Sequence, residues 1–135
     1  MASIFELEEP VFGRSNASLV LVAAGDEDTT LTAEQSVNSL VTMTPSDARN
    51  LTTATAAAIV AELGSGVRVG TSFSIFVRNE AAATHAITIV GGSGVTLATD
   101  NTNTIAATNT KQFIGRVTAI GTPAITLYSM GAAVH

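Results

Sequence analysis

Residues 70–130 limit the fold most strongly, because this stretch is a nearly unbroken series of short segments that alternate between apolar and other side chains. Segment 73–78 and segment 87–89 both show the two-residue period of a strand with one face on a core. Gly, Asn, Thr and Asp separate the segments, and strands recur every eight to twelve residues or so, which is typical of a sandwich or jelly roll. We therefore predict an all-β fold, an antiparallel, jelly-roll-like β-sandwich of about eight strands.

The length of the chain favours one domain. A chain of 135 residues can bury roughly two-thirds of its unfolded surface and form a real core. Hydrophobic residues make up 46% of it, and the polar remainder is dominated by Thr, Ser and Asn, a mixture that suits pleated sheet. We predict a β-sandwich domain over residues 17–135, preceded by an extended arm over residues 1–16.

The arm is the predicted binding element. It is apolar, but Pro10 and Gly13 interrupt it, so a long helix is not expected there. Apolar side chains of this kind need a surface to lie against, and we expect them to order on a neighbouring subunit or another partner. The predicted partner-binding residues are Phe5, Leu7, Val11 and Phe12.

Further elements follow from local patterns. Strands are predicted over Ala17–Ala23 and Val37–Thr44, with an acidic loop between them and a turn at Pro45. An Ala-rich helix is predicted over Thr53–Leu63, ended by Gly64. The later strands are expected near Ile105 and over 113–120 and 125–129.

The Gly-rich run 91–94 has two interpretations. It could be mistaken for a phosphate-binding loop, but such a loop precedes a helix N-terminus and here a strand follows. We interpret it as the turn of a tight hairpin that joins 87–90 to 95–97.

The sequence contains few groups that could do chemistry. It has no cysteine, and neither His85 nor His135 lies in a motif that would orient an imidazole towards a nucleophile or a metal. Two oxygen-rich segments, 26–28 and 100–104, are candidates for calcium, but both lack the Gly and distal Glu of a calcium loop. We predict solvated loops there, no enzyme activity, no metal and no cofactor, and leave open whether an acidic loop binds calcium.

Charge and hydropathy exclude other classes of protein. Residues 1–62 carry nine acids and two arginines, the remainder is weakly basic, and the whole chain has a net charge of −5. An acidic chain without a basic stripe is not expected to bind nucleic acid. No apolar run approaches a membrane span, and Glu6, Glu8 and Glu9 stand where a secretory signal would be basic, so we expect synthesis in a cytoplasm and no membrane partner.

Residues 42–130 resemble a domain common in virion structural proteins of tailed bacteriophages. The resemblance rests on a strand that ends in Thr-Pro and on five later segments, TATAAAIVAELGS, VGTSFSIFVRN, HAITIVGGSGVTL, KQFIGRVTAI and AITLYSMG. It covers about two-thirds of the chain and includes no catalytic signature.

The resemblance implies a non-enzymatic function. Such domains are similar to the β-sandwiches of head decoration (cement) proteins, and the small size of this chain, without shaft or repeats, favours that group. The implied protein is a homotrimer bound to the major capsid protein on the outer capsid surface of the virion. Two alternatives remain: a tail, baseplate or fibre subunit, and a carbohydrate-binding attachment module, which the absence of Trp disfavours.

Overall fold

A computed structural model describes residues 18–98 and 103–135. Strands hold 47% of the described residues and form two sheets, which confirms a β-rich fold. The predicted arm, and the domain boundary at residue 17, lie outside the described residues. In chain order the elements are β1 (Val20–Ala23), β2 (Thr29–Thr30), a 3-10 helix (Glu34–Ser36), β3 (Ser39–Met43), β4 (Arg49–Thr52), α1 (Ala56–Leu63), β5 (Ser72–Asn79), β6 (Ile87–Val90), β7 (Val95–Leu97), β8 (Thr104–Ile105), β9 (Asn109–Ala119) and β10 (Ala124–Val134).

The strands alternate between a six-stranded and a four-stranded sheet. The six-stranded sheet has the order β1-β3-β5-β9-β10-β7, and the four-stranded sheet has the order β2-β4-β6-β8. From β1 to β6 each strand in one sheet is followed by a strand in the other. These six strands therefore form three successive coils: β1 with β2, β3 with β4, and β5 with β6.

The coils stack in parallel, so the prediction of an antiparallel fold is wrong for this half of the molecule. Among the described residues five strand pairings are parallel and three are antiparallel. Parallel neighbours need a crossover connection, and here the strand in the opposite sheet lies within each crossover. Side-chain alternation defines which face of a strand is buried but not which strand lies beside it, and so the sequence pattern could not reveal the pairing.

The predicted hairpin at 91–94 is also wrong. β6 belongs to the four-stranded sheet, whereas β7 lies at the edge of the six-stranded sheet and pairs in parallel with β10. The glycines do not form a hairpin turn. They allow the backbone of one coil to pack closely against the preceding coil. A Cβ at Gly92 would lie 2.6 Å from the carbonyl oxygens of Thr53 and Ala54 in the preceding coil.

The predicted helix is confirmed, with a later start. α1 begins at Ala56 because the Thr55 side chain accepts a hydrogen bond from Ala58 N and caps the first turn. It ends at Gly64, whose φ of 91° lies in the region that favours glycine. Ala56 and Ile59 bury one side of the helix against the core.

The core lies between the two sheets and is almost entirely aliphatic. Inward residues of β3, β5, β9 and β10 meet inward residues of β4, β6 and β8. The largest fully buried side chains include Val41, Met43, Leu51, Ile75, Ile87, Ile89, Ile105, Phe113, Ile125 and Leu127. At roughly 1.5 to 3 kcal/mol for each large apolar side chain, this layer dominates the stabilising free energy.

A glycine and an aromatic ring make one unusually close cross-strand pair. Phe73 of β5 lies opposite Gly115 of β9 in register, and a Cβ at Gly115 would lie 2.2 Å from Phe73 Cζ. The ring therefore occupies the space that any larger residue at 115 would need.

We expect Gly115→Ala to lower the free energy of unfolding by about 1 to 3 kcal/mol, because the new methyl group overpacks the Phe73 ring. Gly115→Ala combined with Phe73→Leu should recover part of this loss, since the smaller side chain leaves room. Urea unfolding followed by circular dichroism measures both. Gly121→Ala is the control, because nothing lies within 4 Å of its Cβ position; equal effects at both glycines would contradict the packing account.

Candidate interaction surface

The acidic loop between β1 and β2 is tied to the next coil. Asp26 Oδ1 accepts hydrogen bonds from Ser46 N at 3.0 Å and Arg49 Nε at 2.9 Å, and Asp26 Oδ2 accepts from Ser46 Oγ at 2.5 Å. The Ser46 hydroxyl and amide, together with Arg49, hold the pKa of Asp26 well below its ordinary value. The Asp26 carboxylate in turn raises the pKa of Arg49.

Asp28, in the same loop, also binds a backbone group of the next coil. Asp28 Oδ1 accepts a hydrogen bond from Asn50 N at 2.9 Å, which ties the start of β2 to β4. All three acids of the loop are exposed, as predicted, but the carboxylates of Asp26 and Asp28 are fixed. Within residues 18–98 and 103–135 no cluster of three or more His, Cys, Asp or Glu could hold a metal ion.

The second calcium candidate, 100–104, lies partly outside the described residues. Of its described members, Asn103 donates through Nδ2 to Ile89 O at 3.0 Å, and Thr104 O accepts from Lys111 Nζ at 2.9 Å. The first contact joins the residue before β8 to β6, and the second joins β8 to β9.

Both histidines lie near strand ends and contribute to contacts with neighbouring segments. His85 precedes β6, and its carbonyl oxygen accepts a hydrogen bond from Asn79 Nδ2 at 2.8 Å. The ring of His135 lies 3.2 Å through Nε2 from Asn79 O, and its backbone N donates to Thr108 O. These contacts anchor the end of β10 and the corner after β5.

Lys111 is the one lysine of the chain and is only 6% exposed. It lies on the inward side of β9, where burial lowers its pKa. Its contact with Thr104 O connects β9 of one sheet to β8 of the other. The sequence analysis did not predict the burial of Lys111, because a single Lys in a strand is usually solvent-exposed.

The outward side of the six-stranded sheet, which we call the outer face, carries an apolar patch. Leu21 of β1, Leu40 of β3 and Phe76 of β5 stand in register in one row across three parallel strands. Ile114 of β9 and Tyr128 of β10 pair in the next row. Leu21 is 70% exposed and Tyr128 43% exposed, whereas Leu40, Phe76 and Ile114 between them are only partly exposed.

Two arginines flank the patch. Arg78 stands two residues beyond Phe76 on β5, where Nε forms a 2.8 Å ion pair with Glu80. Arg116 stands two residues beyond Ile114 on β9 and is exposed; no salt bridge to it is found within the described residues. The outer face thus combines an apolar centre with an exposed arginine on one side and an arginine–glutamate ion pair on the other.

The outward side of the four-stranded sheet differs in chemistry. Thr30 pairs with Thr52, and Asn50 pairs with Thr88, which pairs in turn with Thr104. Apart from Val90, which pairs with Thr52, this surface is polar and uncharged along its strands. It therefore offers an internal comparison for any binding assigned to the outer face.

The predicted partner-binding residues Phe5, Leu7, Val11 and Phe12 lie outside the described residues. The outer face was not predicted as an interaction surface. The available signal was Phe76, an aromatic residue at an outward position in the otherwise regular alternation of β5.

Comparisons with protein families, with characterised proteins and with solved structures found no match. In the part of the chain that the structure describes, no helix is long and apolar enough to cross a membrane.

We expect Asp26→Asn to lower stability at neutral pH, and this difference from the wild type to shrink as the pH falls below about 4. The folded pKa of Asp26 is depressed, so its contribution is complete above the unfolded pKa of about 3.9 and is lost as the pH falls towards the folded pKa. Urea unfolding at pH 7, 4 and 3 measures the difference.

Glu27→Gln, in the same loop, is the control and should behave like the wild type at each pH. A deficit for Asp26→Asn that stays constant from pH 7 to pH 3 would contradict the ionic origin of the effect.

Proposed function

We propose that this chain is a non-enzymatic capsid decoration (cement) protein of a tailed bacteriophage. In this proposal it assembles as a homotrimer, binds the major capsid protein on the outer surface of the head and stabilises the shell. The arm residues Phe5, Leu7, Val11 and Phe12 make contacts between subunits or with the shell. The finer classification as a jelly-roll-like sandwich belongs to this proposal as well.

The outer face is the observation that carries the proposal. It is a broad sheet surface with an apolar row, Leu21, Leu40 and Phe76, held on strands whose other side is packed into the core. Contiguous exposed apolar surface with a polar margin is typical of sites where proteins bind proteins.

The titratable groups support a structural role. The groups with shifted pKa values, Asp26, Arg49 and Lys111, each hold backbone or side-chain partners that join one coil or sheet to another. Catalytic groups have their pKa values shifted for chemistry in a cleft, whereas these shifts accompany contacts that hold the fold together.

Such a protein stabilises the capsid through the sum of many small contacts. Each copy buries additional area across a joint between capsomers, and binding to the assembled state alone shifts the equilibrium towards the intact particle. Symmetry repeats each small contact many times. A rigid, well-packed β scaffold suits this role because little ordering free energy is lost on binding.

The test is co-expression with the major capsid protein encoded in the same genome. Gradient-purified heads should carry the protein in a fixed copy number, and electron microscopy should show it on the outer surface. Heads that contain it should resist heat at higher temperature than heads without it. Its presence on tails and absence from heads would favour the tail or baseplate alternative instead.

Deleting residues 1–13 should leave the circular dichroism spectrum and its thermal transition nearly unchanged, but weaken trimer or capsid binding at least tenfold. Burying two Phe and one Leu is worth roughly 1.5 to 3 kcal/mol for each side chain before the costs of ordering, and 1.4 kcal/mol is a factor of ten. Light scattering and co-sedimentation with heads measure the loss. A truncated protein with unchanged affinity and mass would exclude this role for the arm.

A further inference from the structure

We propose that the outer face of the six-stranded sheet is the receptor for residues 4–12 of a second copy of this chain. This inference rests on the self-association in the proposed function and names the two surfaces that form it. It does not depend on capsid binding.

The chemistry of the two surfaces matches. Residues 4–12, IFELEEPVF, combine five apolar side chains with Glu6, Glu8 and Glu9. The outer face presents an apolar centre, with exposed Arg116 on one side and the Arg78–Glu80 ion pair on the other. Apolar side chains on the patch and a glutamate beside Arg116 would satisfy both kinds of group.

The dimensions match as well. Nine extended residues span at most about 30 Å. The five strands from β1 to β10 across which the patch runs are separated by four spacings of about 4.8 Å, a width of about 19 Å. Residues 4–12 are therefore long enough to cross the patch from one side to the other.

The position of β1 favours this occupant. β1 is the outermost strand of the first coil, and within the described residues its other edge pairs with no strand. Leu19 and Leu21 are exposed there, 53% and 70% respectively. Residues 4–12 precede β1 in the chain and only seven residues separate them from it, so they are close in sequence to this edge.

A disulfide test identifies the contact, since the chain has no cysteine of its own. A full-length Glu8→Cys protein is mixed with a full-length Thr126→Cys protein, because Thr126 stands on the outer face of β10 in register with Arg116. Mild oxidation should give a disulfide-linked heterodimer, which mass spectrometry distinguishes from homodimers.

The matched control pairs Glu8→Cys with Thr88→Cys, on the outward side of the four-stranded sheet. Equal yields from the two mixtures would overturn the proposal. A chain carrying both Glu8→Cys and Thr126→Cys that closes only its own intramolecular disulfide, without linked dimers, would also overturn it, because the arm would then bind its own sheet.

Charge reversal gives an independent test. Arg116→Glu should raise the dissociation constant of the oligomer about fivefold at low salt, the effect of roughly 1 kcal/mol expected for exposed charges, and Arg116→Glu with Glu8→Arg should restore it. Thr30→Glu with Asn50→Glu adds the same negative charge on the other sheet and should leave the constant unchanged. Sedimentation equilibrium measures all four proteins.

The outcomes separate this inference from the proposed function. A wild-type oligomer whose mass and dissociation constant are insensitive to Arg116→Glu, with no specific disulfide, would overturn the inference and leave decoration intact. A wild-type protein that is monomeric at high micromolar concentration would overturn self-association itself, and with it this inference.

Discussion

The fold depends on hydrogen bonds at the corners, where the chain leaves one sheet for the other and backbone groups lose their strand partners. Small polar side chains supply those partners. Ser36 Oγ donates to Thr32 O and accepts from Ala54 N, and Thr53 Oγ1 accepts from Gly92 N while it donates to Ala54 O. Ser36 and Thr53 are fully or almost fully buried, so leaving their partners unmatched would cost about 1 to 3 kcal/mol for each group.

The corners on the other side of the coil use the same device with different residues. Asp26 accepts from Ser46 and Arg49 between the first and second coils, and Asn79 donates to His85 O and Ile105 O beside the third. The bonds to Asp26 join the first coil to the second, whereas the bond from Asn79 to His85 O closes the corner between β5 and β6 of the third coil. The stacking of the coils in register therefore depends on corner side chains as well as on the strands.

The sequence predicted the β-rich class, the helix and most long strands, because these follow from local periodicity and from Gly64. It did not predict the parallel coils, since the partners of a corner residue such as Thr53 are far away in the chain. Thr53 was assigned to the helix for its position in an Ala-rich segment, whereas the structure uses its hydroxyl to hold the corner. The hairpin predicted at residues 91–94 was wrong for the same reason. The chain does turn there, but Gly92 is needed because its backbone packs closely against Thr53 and Ala54 of another coil.

The candidate surface also could be predicted only in part from the sequence. The apolar side chains of the arm stand out in the sequence, but the outer face that we propose as their receptor is assembled from five different strands, and no single strand reveals it. The burial of Lys111 likewise depends on β8 and β9 coming together, and no local pattern contains that information. Properties of single segments were predictable, and properties shared by distant segments were not.

The two ends of the six-stranded sheet are completed differently, and this asymmetry follows from the chain order. After the third coil the chain turns antiparallel: β9 pairs with β5, β10 returns beside β9, and short β7 occupies the far edge. Parallel stacking cannot continue past β9, because its direction is reversed, so the fold itself ends the coil on that side. At the first coil no described strand does the same for β1, which is the first described strand of the chain. An edge strand with exposed leucines is a template for association unless something covers it. We propose that residues 4–12, which precede β1 in the chain, cover the outer face beside this edge in a second copy.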